Sequence, residues 1–196
     1  MRIGLLGGTF DPPHAGHLLL AKAALSQLEL DEVLFLPAFR NPLKKGKGTP
    51  AKQRVEMLNL LLKDEPNIGI CDIEVTRGGP SYTVDSLSEL QSAQPATYWF
   101  ILGADSLKSL PEWKHPDRLL RMCRLAVAVR PPLNPQEALA RLPEYVKESV
   151  DILEMPPSDI SSTEIRLRIS EGKPVKPQVS DAVLRYIKAS KLYENA

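Results

Sequence analysis

Two histidines, His14 and His17, close an eleven-residue stretch from Gly7 that reads GGTFDPPHAGH. A short apolar run (Ile3, Leu5, Leu6) precedes it and reads as a buried strand; LLLAKAALSQL follows and reads as a helix. Glycines at a strand end leave backbone N–H groups unscreened. The helix start adds further N–H donors and the positive end of a macrodipole. That combination binds anions, phosphate above all. A spacing of three residues would put both imidazoles on one face of the first helical turn, aimed at the same bound group.

A second cluster of the same kind lies near the other end of the chain. Residues 160–166 read ISSTEIR, after Pro156 and Pro157 and at the opening of an amphipathic segment. Ser161 with Glu164 is a capping box. That reading leaves Ser162, Thr163 and Arg166 unexplained, and first-turn hydroxyls with a guanidinium one turn later make a phosphate clamp. The two roles are compatible. Together the clusters suggest one polyphosphate held from two sides.

The absences narrow the chemistry. No G-x-x-x-x-G-K-[ST] is present, GKGT at 46–49 being only a partial echo, so a P-loop kinase or GTPase is disfavoured. A dinucleotide oxidoreductase would want G-x-G-x-x-G and an acidic residue ending the second strand, where this chain has Leu36-Pro37-Ala38. There is no Ser-His-Asp signature and no evident covalent nucleophile. A phosphate monoester, with its second pKa near ~6, is already mostly dianionic at neutral pH and can attack without a strong base. Such a reaction needs alignment and charge neutralisation more than proton chemistry.

The elements that must hold these groups alternate along the chain. Strands are expected at 2–6, 32–37, 68–75, 97–102, 124–129 and 150–155. Helices are expected at 15–28, 50–63, 82–92, about 116–122, 135–141, 162–171 and 180–190. Alternation of this kind predicts a Rossmann-like, doubly wound α/β fold, its sheet mainly parallel, with helices on both faces and a small helical region at about 160–196. The chain of 196 residues suits a single domain. Residues 38–49 (AFRNPLKKGKGT) form one long polar loop, the usual place for function. The 25 basic and 24 acidic residues nearly cancel, so no generic nucleic acid binding is expected. Cys71 and Cys123 lack a C-x-x-C partner and read as small buried hydrophobes in a reduced cytoplasm. Met1 leads straight into a strand and no apolar stretch reaches membrane-spanning length, so a cytoplasmic protein without membrane contact is expected.

GGTFDPPHAGH and ISSTEIR together resemble the two signatures of the nucleotidyltransferase superfamily, and within it the chain is similar to the bacterial nicotinate-nucleotide adenylyltransferases. Further matching stretches, in the same order, are NPLK (41–44), PSYTVDSL (80–87), GADSL (103–107), LPEWK (110–114) and SDAVLRYIKASKLY (180–193). The resemblance covers nearly the whole chain. Pro13 departs from it, standing where the family commonly carries an aliphatic residue.

The resemblance implies that ATP and nicotinate mononucleotide give the deamido dinucleotide and pyrophosphate, as a step of NAD biosynthesis. The mononucleotide phosphate would attack the α-phosphorus directly, and Mg2+ would arrive with ATP. His14 and His17 would donate to the phosphates, His17 nearest the α-phosphate. A transition-metal site from Asp11, His14 and His17 is the competing reading, and no dedicated metal site is expected. Gly7, Gly8, Thr9 and Phe10 would lie along the nucleotides, unless the glycines merely make a tight turn. Ser161, Thr163 and Arg166 would hold the β- and γ-phosphates. Lys44 would join them or remain a solvated lysine. Asp105, beside Gly103, would take the ribose hydroxyls or cap a helix. Tyr82 and Thr83 would offer backbone N–H groups to the nicotinate carboxylate. Trp113 would stack on the pyridinium ring or anchor a loop. The rival readings are the same chemistry on phosphopantetheine or nicotinamide mononucleotide, a non-catalytic nucleotide sensor, a class I aminoacyl-tRNA synthetase, and a metal-dependent hydrolase.

Overall fold

The computed structural model describes the chain except residues 45, 47, 108, 130, 132, 133, 141–143, 195 and 196, and the side chains at 105, 135, 136 and 138. Its elements begin β1 (Arg2–Gly8), α1 (Ala15–Gln27), β2 (Glu32–Pro37), α2 (Ala51–Leu62), β3 (Ile68–Ile70), α3 (Ile73–Arg77), α4 (Thr83–Ala93) and β4 (Thr97–Gly103). They continue with α5 (Ala104–Leu107), a 3-10 turn (Leu110–Glu112), α6 (Pro116–Met122), β5 (Arg124–Val129), α7 (Pro135–Ala140), α8 (Glu144–Lys147), β6 (Val150–Glu154), α9 (Ser162–Ser170) and α10 (Asp181–Ala189).

The six strands form one sheet in the order β3-β2-β1-β4-β5-β6, every pairing parallel. This is the doubly wound arrangement expected from the alternating pattern. The order reverses between β1 and β4, where Leu5 pairs with Phe100 and Leu6 with Ile101. Chains leaving that reversal diverge to opposite faces and open a crevice at the carboxyl ends of the strands, where ligands bind in open α/β sheets. The strands are short apolar runs because both faces are covered. One face buries Leu5, Phe100 and Leu125 with Leu87 of α4; the other buries Leu6, Ile101 and Ala126 with Ala21 and Ala24 of α1. A third cluster joins Ile165 of α9 and Val183 and Ile187 of α10 to Met57 of α2. At the amino end of the sheet, Arg124 grips Asp151 with two hydrogen bonds of 2.6 and 2.9 Å, and Trp99 Nε1 donates to the same carboxylate at 2.8 Å. Burial opposes the Asp151 charge, but these donors outweigh it and hold the carboxyl below its ordinary range.

One expected strand is corrected. Residues 68–75 make a strand only over Ile68–Ile70, with Ile73–Arg77 helical. The segment alternates apolar and polar residues, but β2 is its one strand partner among the described residues, and the last bond is Cys71 N–H to Phe35 O at 2.9 Å. Past that point the chain coils so that Glu74, which alternation would place outside, is buried and accepts from Ser86 Oγ at 2.6 Å. The short helices α5 and α8 and the 3-10 turn were not expected. Cys123 is buried, and burial pushes its thiol up to about 12; Cys71 is only partly buried, so the expectation of two buried thiols holds for Cys123 alone. Both are free thiols. Among the described residues, no helix is long and apolar enough to cross a membrane.

Candidate active site

A cavity of about 1120 Å³ opens at the carboxyl ends of β1 and β4. Gly7, Gly8 and Thr9 form one wall. The glycines earn their place through close packing. A Cβ on Gly7 would stand 2.4 Å from the Phe100 ring, and one on Gly8 would stand 2.8 Å from the Phe10 ring. Phe10 itself turns inward. Its φ of 53° is left-handed, rare for a bulky residue, and its ring is buried against Phe35 and His17 with centroids 5.1 and 5.0 Å away. Phe10 therefore supports the wall from behind.

His17 lines the cavity and His14 lies behind it. The helix begins at Ala15, so His14 is the N-cap in extended conformation (φ −150°, ψ 170°), not a member of the first turn. The rings still meet, stacked with centroids 3.6 Å apart and 22° between planes. The His14 backbone N–H donates to His17 Nδ1 at 3.2 Å. A nitrogen that accepts cannot carry the proton, so neutral His17 holds it on Nε2 as a donor. Asp11 does not join the histidines in a metal site. Its Oδ1 accepts from Tyr193 Oη at 2.6 Å and its Oδ2 from Thr49 N–H at 3.1 Å. Among the described residues, no group of three or more His, Cys, Asp or Glu side chains is placed to hold a metal ion.

The second cluster arrives at the same place. Ser162 Oγ donates to Pro12 O at 2.9 Å, and Arg166 Nη1 donates to Asp11 O at 2.8 Å, so α9 starts against the loop that follows β1. Ser161 lines the cavity and caps α9, accepting from Glu164 N–H at 3.1 Å. Thr163 Oγ1 sits 3.4 Å from Arg166 Nη2. From the opposite side, Lys44 Nζ donates to Thr9 Oγ1 at 3.1 Å. Lys44 is exposed as a residue, yet partial burial, then the Arg166 charge, pulls its pKa below the ordinary lysine value. Thr9, Lys44 and Ser161 thus line one space from three chain segments, while Thr163 and Arg166 stand behind its lining, Arg166 turned onto Asp11 O.

The cytidylyltransferase-like family model matches residues 5–168. A protein of Roseiflexus sp. (strain RS-1), named "Probable nicotinate-nucleotide adenylyltransferase", is 42% identical over 97% of this chain and 97% of its own length. One from Herpetosiphon aurantiacus with the same name is 40% identical over 98% of each. The chain belongs to the cytidylyltransferase-like family, in its nicotinate-nucleotide adenylyltransferase branch. Its fold is similar to that of Plasmodium falciparum nicotinic acid mononucleotide adenylyltransferase complexed with NaAD, with a TM-score of 0.81 at 20% identity, covering 100% of this chain and 98% of that one.

The rest of the adenylyltransferase cavity is built around α4 and the 3-10 turn. Tyr82 is the N-cap of α4 and Thr83 its first residue; both line the cavity, and so does Trp113. Trp113 meets Phe100 edge-on at 5.6 Å and donates from Nε1 to Ser109 Oγ at 3.1 Å, so it anchors its loop and borders the space at once. Lys114, singled out by no spacing rule, also lines the cavity. It pairs with Asp85 at 2.8 Å and stands 4.8 Å over the Tyr82 ring. Asp105 belongs to α5, and its side chain lies outside the described residues. Gly103 ends β4 on the cavity wall, and a Cβ there would meet nothing within 4 Å. Gly103→Val should therefore fold with an unchanged melting temperature yet intrude on ligand space. We expect the KM for ATP to rise about tenfold, the scale of one overpacked contact, checked by initial rates beside thermal melts.

Proposed function

We propose that the protein joins ATP and nicotinate mononucleotide into nicotinate adenine dinucleotide and pyrophosphate by direct in-line displacement. A 5′-phosphate oxygen of the mononucleotide attacks the α-phosphorus, the bond from that phosphorus to the bridging oxygen breaks, and pyrophosphate leaves with the electron pair. The observation that carries this is the meeting of the Gly7–His17 loop, Lys44 and the start of α9 around one cavity at the sheet's reversal point. His17 Nε2–H donates to the α-phosphate as charge builds there, with His14 fixing the ring by stacking and through its N–H. Lys44, Ser161, Thr163 and Arg166 hold the β- and γ-phosphates, neutralising the leaving group. Mg2+ enters as part of the MgATP substrate, its ligands mostly phosphate oxygens. Gly103 and Asp105 lie beside the adenosine ribose.

The pyridine end falls to Tyr82, Thr83 and Trp113. The α4 N-terminus offers backbone N–H groups to the nicotinate carboxylate, and Trp113 presents an aromatic surface to the cationic ring. The substrates in this reading are small molecules, and MgATP as one of them fits a reaction in the cytoplasm. The test offers nicotinate mononucleotide, nicotinamide mononucleotide and phosphopantetheine in parallel with MgATP while pyrophosphate release is followed. Nicotinate mononucleotide should give the highest kcat/KM. A preference for either other acceptor would overturn the substrate assignment.

A further inference from the structure

Arg54, on the first turn of α2, is 2% exposed, and among the described residues its guanidinium donates to backbone carbonyls. Nη1 reaches Thr9 O at 2.6 Å, Nη2 reaches Ala38 O at 2.7 Å and Phe39 O at 3.2 Å, and Nε reaches Thr49 O at 2.9 Å. Those carbonyls belong to the loop after β1 and to both ends of the loop that carries Lys44. One rigid fork thus sets the Lys44 loop against the glycine loop at three points, which a lysine ammonium could not do. The negative charge of Asp11, 8% exposed, offsets part of the burial of this cation, and the two side chains are joined through the Thr49 backbone. Asp11 is itself held by Thr49 N–H and by the hydroxyl of Tyr193, beyond the end of α10. Tyr193 Oη also lies 3.3 Å from Thr49 Oγ1. The loop passes so tightly here that a Cβ on Gly48 would stand 2.8 Å from Asp11 Oδ2.

We propose that Arg54, Asp11 and Tyr193 form a buried positioning network that sets Lys44 and Thr9 at the separation the triphosphate of ATP requires, with the C-terminal Tyr193 completing it. None of the three is a catalytic residue. They act through the loops they hold, and the inference rests on reading the Lys44 and Thr9 side of the cavity as the ATP phosphate site.

The test uses the full-length protein. Tyr193→Phe keeps the ring and removes the hydroxyl; Arg54→Lys keeps a cation and removes the fork. Tyr193→Phe should raise the KM for MgATP about tenfold and leave the KM for nicotinate mononucleotide within about twofold, the scale of one hydrogen bond to a charged group. Arg54→Lys should show the same split, larger. In nucleotide-free protein, amide hydrogen exchange between Ala38 and Thr49 should quicken in both variants. If Tyr193→Phe leaves exchange and the KM for MgATP unchanged, or raises both KM values in parallel with a lowered melting temperature, the network has no positioning role. Failure of the unaltered protein to release pyrophosphate would instead sink the functional reading, and the exchange measurement would still decide whether the network orders the loop.

Discussion

His17→Ala is expected to lower kcat by about 10²-fold or more, roughly 2.7 kcal/mol of transition-state stabilisation, with the KM for ATP little changed. The expectation comes from the tautomer. The His14 N–H, 3.2 Å from His17 Nδ1, leaves Nε2 as the proton-bearing nitrogen of a residue that lines the cavity. A donor fixed before substrate arrives costs little reorganisation when charge builds on the α-phosphate. An interaction made mainly in the transition state lowers kcat and kcat/KM together. His17→Asn separates this from a folding effect, since its amide oxygen can accept the His14 N–H while the reach of the ring is lost. Both variants should melt near the unaltered protein and turn over far more slowly. Near-normal kcat in His17→Ala would remove the residue from the mechanism.

How much of this was legible in the residues follows the range of the forces involved. β1, β2, β5 and β6 appear within two residues of their expected ends, because continuous apolar runs between Gly and Pro signals are local features. The Ser161 cap and the start of α9 were likewise legible, since a capping box is written within four residues. Glu74 was not: its burial depends on Ser86, twelve residues away on α4. The inward turn of the Phe10 ring under the wall was not legible either, since a left-handed φ sets it and no side-chain pattern announces that. Arg54 reads as an ordinary helical arginine until the fold brings the carbonyls of Thr9, Ala38 and Phe39 to it. Tyr193 meets Asp11 across 182 positions. The motifs pointed to His17, Lys44 and Ser161, which line the cavity; Arg54 and Tyr193, which act through distant backbone and side chains, carry no local signal.

Arg166→Ala should lower kcat/KM for MgATP by about 10²-fold, since a guanidinium fork on phosphate combines charge with paired hydrogen bonds. Loss of α9 from its place would be the trivial cause, and the contacts argue against it. Ser162 Oγ still bonds Pro12 O, and Ile165, 1% exposed, still packs into the C-terminal cluster. Thr163→Ala, which removes only a hydroxyl, should cost about fivefold. A second readout reaches Lys44. Burial first, and the Arg166 charge second, hold the Lys44 pKa below its ordinary value. Lys44 must be protonated to bind phosphate, so activity falls as pH rises through that lowered pKa. Removing Arg166 leaves burial and the Arg54 charge to lower the pKa against the Asp11 carboxylate, and Lys44 then keeps its proton to higher pH. The alkaline limb of the kcat/KM profile for MgATP should therefore shift upward in Arg166→Ala while its plateau drops. Lys44→Ala should abolish that limb. An alkaline limb that stays put when Arg166 is removed would mean that the two cations do not share one anion.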